Sequence, residues 1–133
     1  MFGKKDHAQE AEHVDSVIGA GTRIEGNVVF SGRLRIDGEI KGNVSASEAA
    51  STAFVYLSEM GRVEGAVTVQ SIVTNGQIVG PVSVQQSLVM QSRAKIVGDV
   101  NYSSIEMHQG AVIDGGRLLY RLPEPEQKSD LPD

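Results

Sequence analysis

Cysteine and tryptophan are both absent from this 133-residue chain, which holds only three Phe and three Tyr. Without cysteine no disulfide framework can hold the fold, which fits a reducing compartment. So few rings leave little platform for stacked nucleic-acid bases, and no nucleic-acid partner is expected. No apolar run approaches the roughly 18 residues of a membrane span, and no signal-peptide core follows Met1. His7, His13 and His108 are scattered, with no cysteine to complete a metal set, so no metal site is expected. A glycine-rich loop ending in Lys-Ser/Thr and a Gly-x-Ser-x-Gly elbow are also missing. Neither a cofactor nor a catalytic residue is therefore assigned.

Charge is scarce in the body of the chain. The formal net charge is −5, but residues 17–120 carry eight basic and nine acidic side chains. A near-neutral body does not repel copies of itself, so self-assembly is permitted. Residues 1–15 and 121–133 read as disordered tails by composition, and 16–120 as a single domain.

What the sequence has in quantity is a repeat. "QIVGPV" at 77–82 is answered by "KIVGDV" at 95–100. The pattern Ile/Val-x-Gly-x-Val also centres on Gly26, Gly42 and Gly65, and Ile113-Asp-Gly-Gly-Arg117 matches all but its last position. Counting Gly115 as the sixth centre, the steps are 16, 23, 15, 18 and 17 residues. A short period that survives one insertion is the mark of a solenoid, each repeat forming one rung. The insertion falls at Glu48–Phe54 and reads as a loop.

Within each repeat the apolar residues alternate, as strands require. After each glycine come Val28/Phe30, Val44/Ala46, Val67/Val69, Val82/Val84 and Val100/Tyr102. A second series holds Leu34/Ile36, Val55/Leu57, Ile72/Thr74, Leu88/Met90 and Ile105/Met107. A third short strand carries the Ile or Val two residues before each glycine. Successive side chains point to opposite faces, so each series can line one interior wall. Three short strands per rung, with glycine at a bend, predict an all-β, triangular parallel β-helix of about six rungs. Pro81 suits such a corner. Six rungs give a rod of roughly 25–30 Å.

Solenoid ends expose strand edges and cut core, so they need a cap or a partner. No long capping element is visible at either end. Val28, Val29 and Phe30 near the first end, and Leu118, Leu119 and Tyr120 near the second, are the candidate polymer contacts. In the sixth rung Arg117 occupies the place where an inward valine is expected.

The block "IGAGTRIEGNVVFSGRLRIDGEIKGNV" (Ile18–Val44), followed by "GRVEGAV", "KIVGDV" and "EMHQGAVIDG", resembles the bactofilins. The resemblance covers roughly Ser16–Gly116. It implies a right-handed β-helix that stacks end to end into non-polar filaments without nucleotide. It further implies a bacterial cytoskeletal scaffold on the inner face of the cytoplasmic membrane, with another bactofilin or a cell-wall enzyme as partner. Met1 and Phe2 beside Lys4 and Lys5 combine an apolar anchor with cations that meet anionic lipid. The same five residues look like the membrane-targeting start of many bactofilins.

Two rival readings belong to other classes. An acyltransferase on a left-handed β-helix needs strict hexads, which the steps of 15, 16 and 17 residues break. A monomeric binding module would use an outward apolar strip, for which Tyr56, Val73, Val79, Val89 and Val97 are the candidates. That strip is also a candidate surface for lateral association or a client protein. Asp37 and Glu39 around Gly38 read as solvated corner residues rather than a catalytic carboxylate pair.

Overall fold

A computed structural model describes residues 14–120. The expected tails, and with them Met1, Phe2, Lys4 and Lys5, lie outside the described residues, apart from Val14 and Asp15. Among the described residues the ladder begins at Asp15, whose N–H donates to the Arg33 carbonyl at 2.9 Å and whose Oδ2 accepts from the Arg33 N–H at 2.9 Å.

Sixteen strands and no helix make up the described chain. The first two turns are β1 (Ser16–Ile18), β2 (Arg23–Glu25), β3 (Val28–Phe30), β4 (Gly32–Ile36), β5 (Glu39–Lys41) and β6 (Val44–Ala46). The middle turns are β7 (Ala53–Leu57), β8 (Arg62–Glu64), β9 (Val67–Thr74), β10 (Gln77–Val79), β11 (Val82–Met90) and β12 (Lys95–Val97). The last elements are β13 (Val100–Tyr102), β14 (Ser104–Met107), β15 (Val112–Asp114) and β16 (Leu118–Tyr120). Every pairing among them is parallel and links one turn to the next.

Three walls result, as the alternation predicts. The first holds β3, β6, the start of β9, the start of β11, β13 and β16. The second holds β1, β4, β7, the ends of β9 and β11, and β14. The third is a separate six-stranded sheet of β2, β5, β8, β10, β12 and β15. β9 and β11 run unbroken through the first two walls, with a register shift between Val84 and Ser87 in β11.

The inward columns form a dry core. In the middle rungs Ile36, Leu57, Ile72, Leu88 and Met90 of the second wall, and Ile40, Ile78 and Ile96 of the third, are fully buried. Val67, Val82 and Val100 line the first wall. Thr74 is a fully buried polar member of this interior, and its Oγ1 accepts from the Gly76 N–H at 3.1 Å.

Corners explain the uneven repeat lengths. Between the second and third walls the chain turns in two residues at 37–38 and 75–76. It uses four at 19–22, 58–61, 91–94 and 108–111, each closed by a bond such as Gly61 N–H to the Ser58 carbonyl at 2.8 Å. The insertion adds residues 47–52 at the corner of the first two walls, where the preceding rung needs Ser31 alone. Ala53 and Phe54, expected within the insertion, are already in β7, paired with Gly32 and Arg33.

At the remaining corner glycines stack on glycines. A Cβ on Gly80, whose φ is +144°, would strike the carbonyl oxygen of Gly65. The sixth member of this stack is Gly116, not Gly115. A Cβ on Gly116 would strike the Gly98 carbonyl, while one on Gly115 would only touch the Val97 side chain at 4.0 Å. The last corner therefore contains one extra residue. Arg117 takes the corner place of Asp99, whose Oδ1 accepts the Arg117 N–H at 2.9 Å, and Leu118 pairs with Val100. The expectation that Arg117 replaces an inward valine is corrected: Leu118 is that residue.

Candidate functional site

A β-helix has two places where its own sequence cannot complete it, and these are its ends. At the first end β1, β2 and β3 each pair on one side only; at the second, β14, β15 and β16 do so. Among the described residues, each end therefore offers three open strand edges around a cut core. Unpaired edges of this kind are templates for pairing with another chain.

The second end is the more apolar surface. Leu118 and Tyr120 stand in the inward register of Val100 and Tyr102, yet they are 49% and 59% exposed because no described rung lies above them. Met107 is exposed beside them in the register of the fully buried Met90. Ile105, Ala111 and Ile113 pack against the last core layer and are only partly covered. Tyr102 and Tyr120 meet edge to face with ring centroids 5.8 Å apart, which orients the terminal ring. Polar and charged groups stand around this floor: Glu106 with His108 at 2.7 Å, and Arg117 with Asp99 at 3.9 Å.

The first end is built from Ile18, Ile24, Val28 and Phe30. Ile18 is nearly buried, and the other three are half-buried against the core. The Arg23–Glu25 ion pair at 3.1 Å flanks them.

Register separates the six candidate contact residues by role. Val28, Phe30, Leu118 and Tyr120 lie in inward columns and belong to the end faces. Val29 aligns with Ser45 and Leu119 with Asn101, so both lie on the outer side of the first wall. The intervening outward residues are Ser45, Thr68, Ser83 and Asn101, so this wall is polar between two apolar tips. Met107 was missed as an end residue because its alternation with Ile105 reads as ordinary core.

The apolar strip divides. Tyr56, Val73 and Val89 align on the outer side of the second wall, below Arg35, whose guanidinium lies 5.1 Å from the Tyr56 ring centroid. Val79 and Val97 align on the third wall instead. All five are half-buried, and they form two short columns on different walls.

No group of three or more His, Cys, Asp or Glu side chains able to hold a metal exists among the described residues. Asp37 is engaged structurally at the corner. Partial burial pushes its carboxyl up, but hydrogen bonds from Arg35 and Ser58 outweigh this and hold it below the usual carboxylate range. The Arg35 Nε donates at 3.0 Å. Glu64 is likewise held low, chiefly by a hydrogen bond from Arg62, with Lys41 and Arg23 adding their charge.

Comparisons with known proteins agree with this geometry. The family model for bactofilins, described as polymer-forming cytoskeletal, matches residues 16–117. Bactofilin BacO of Myxococcus xanthus (strain DK1622) is 26% identical over 101 residues, covering 76% of each chain. The solid-state NMR structure of the cytoskeletal bactofilin BacA superimposes with a TM-score of 0.68 at 29% identity, over 80% of this chain and 96% of that one. The crystal structure of a point mutant of the bactofilin from Thermus thermophilus shares the fold, with a TM-score of 0.63 at 23% identity over 70% of this chain and 98% of that one. A family match across nearly the whole solenoid, and the same fold in both solved relatives, place this chain in the bactofilin family.

Proposed function

We propose that this chain is a structural subunit that polymerises through its two ends into nucleotide-independent filaments without polarity. The observation that carries the reading is the exposure of Leu118 and Tyr120 in inward register, a hydrophobic core left open at a free strand edge. Burying such side chains stabilises contacts by about 25 cal/mol per Å² of apolar surface. A second copy supplies both the missing rung and the missing hydrogen bonds. If like ends meet, the first and second ends make two different isologous joints, and alternating them produces an open filament. A chain of the polymer-forming cytoskeletal family is expected to associate with itself, which supports the reading.

The filament lies on the inner face of the cytoplasmic membrane in this reading. Met1, Phe2, Lys4 and Lys5 supply the attachment, an apolar anchor beside two cations. One such anchor binds weakly, whereas a polymer presents many copies and gains by avidity. The scaffold then gathers a cell-wall enzyme or another bactofilin. No catalytic role is proposed for any residue.

The joints are tested by charge. Tyr120→Arg blocks the second end and leaves the first, so the protein should sediment as a dimer with an unchanged melting transition. Adding Phe30→Arg should give monomers. Filaments of ordinary length from the Tyr120→Arg variant would contradict the assignment. For attachment, Lys4→Ser with Lys5→Ser should reduce co-sedimentation with anionic liposomes. Equal pelleting would remove the membrane part of the reading.

A further inference from the structure

The outer side of the third wall carries a charge pattern absent from the other two. Register places Arg23, Glu39 and Arg62 in one outward column, and Glu25, Lys41 and Glu64 in the column beside it. Both columns alternate in sign along the rod, and each rung carries one charge of each sign. The first three rungs are thus a neutral checkerboard. By contrast, the first wall shows Ser45, Thr68, Ser83 and Asn101 in its outward column. The second shows Arg35, Tyr56, Val73 and Val89.

Part of this pattern serves the chain itself. Arg62 binds Glu64 at 2.8 Å and lies 4.0 Å from Glu39, and Arg23 binds Glu25 at 3.1 Å. Opposite charges on adjacent strands support rung-to-rung pairing. These side chains remain accessible, however: those of Arg23 and Glu25 are 50% and 68% exposed. The same alternation that pairs these charges within the rod also makes the face complementary to a copy of itself. A two-fold axis parallel to the rod sets one column against the other column of a second copy at the same height. Arg23 then faces Glu25, Glu39 faces Lys41, and Arg62 faces Glu64, each in both directions. All six charges meet their opposites.

Other arrangements fail. A slip of one rung sets Arg23 against Lys41 and Glu39 against Glu64. An antiparallel pair centred on the middle rung sets Arg23 against Arg62 and Glu39 against itself. The next two rungs fit the parallel arrangement as well, since Val79 and Val97 lie opposite Gln77 and Lys95 of the second copy. The aliphatic stem of a lysine covers such a valine while its ammonium stays in water.

We infer that the third wall is a lateral contact between two filaments of this chain, parallel and in rung register, locked by the charge checkerboard. The inference rests on the end-to-end polymer proposed above. In filaments whose subunits alternate in direction, two can align so that facing subunits share a direction. Six strands of three residues make a face of only about 29 by 10 Å. A stable pair of proteins buries about 800 Å² on each side. A single pair of subunits therefore does not hold, and a long polymer does, because every repeat adds its contact.

The test uses the full chain and two double variants, with the Arg23–Glu25 pair beside the first end left intact. Lys41→Gln with Arg62→Gln leaves Glu39 and Glu64 opposite glutamine across the contact; Glu39→Gln with Glu64→Gln does the same to Lys41 and Arg62. Wild type should form bundles that pellet at low speed in about 0.1 M salt and dissolve into single filaments near 1 M, as the Debye length falls from about 10 to 3 Å. Each double variant alone should form single filaments of ordinary length and lose the low-speed pellet. Mixing the two should restore bundles, because Glu39 then faces Lys41 and Glu64 faces Arg62. Bundling by either variant alone, a mixture that stays single, or wild-type filaments that never pair would each overturn the inference. Wild type that forms no filaments at all would instead contradict the end-to-end reading, and this contact with it.

Discussion

Tyr120 shows how one side chain can be correct for a core and misplaced for a monomer. It repeats the inward register of Tyr102 and stacks against it, yet is 59% exposed. A lone subunit keeps that ring in water, and a partner removes it. Leu118→Ala should therefore weaken filaments, seen as a raised critical concentration, while shifting the melting temperature of dimers little. Equal losses of polymer and fold would mean that Leu118 serves the subunit alone. Asp37 illustrates the opposite case, a residue committed to the fold. Its carboxyl sits below its unfolded-state pKa, so the stabilisation it gives is present above about pH 4 and is lost as pH falls through the lower, folded value. Asp37→Asn should lower the melting temperature at pH 7, and the gap to wild type should close as pH falls through the lowered, folded-state value. A gap that stays constant down to pH 2 would contradict that role.

At the scale of elements, the corners carry most of the information that glycine spacing hides. Leu88 is fully buried in β11, and Leu88→Ala should cost about 2–5 kcal/mol of stability, read from denaturant melts. Gly80→Ala meets both a left-handed φ and the Gly65 carbonyl, so it should also destabilise, with loss of the cooperative melt as the severe outcome. Replacing residues 47–52 by a single serine should leave the fold intact, because Ser31 alone spans the equivalent corner one rung earlier. A molten product would show that the loop is needed to set the register of β7. The inward columns were legible in the sequence because alternation is local and each strand shows it independently. The last corner was not: Gly115 and Gly116 are adjacent, and only the ladder reveals which one stacks on Gly98. That single residue moved Arg117 out of the core line and Leu118 into it. The mixture of two-residue and four-residue corners was hidden for the same reason, since a glycine-to-glycine count sums all three corners of a rung.

For the whole molecule, the sequence located the candidate ends but not their faces. Three consecutive residues at each end were expected to act together, whereas the pleat assigns Val29 and Leu119 to the side of the rod. The apolar strip likewise depended on which walls its valines occupy, and that is a property of all the corners together. The charge checkerboard was invisible for a related reason, because its members come from β2, β5 and β8, with Arg23 and Arg62 nearly forty residues apart. What joins these features is an architecture whose described rungs end without closing. Electron microscopy of the purified, untagged chain without nucleotide tests this most directly. The account predicts long filaments whose subunit repeat matches a rod of roughly 25–30 Å. A monodisperse particle of one subunit at the same concentration would contradict it.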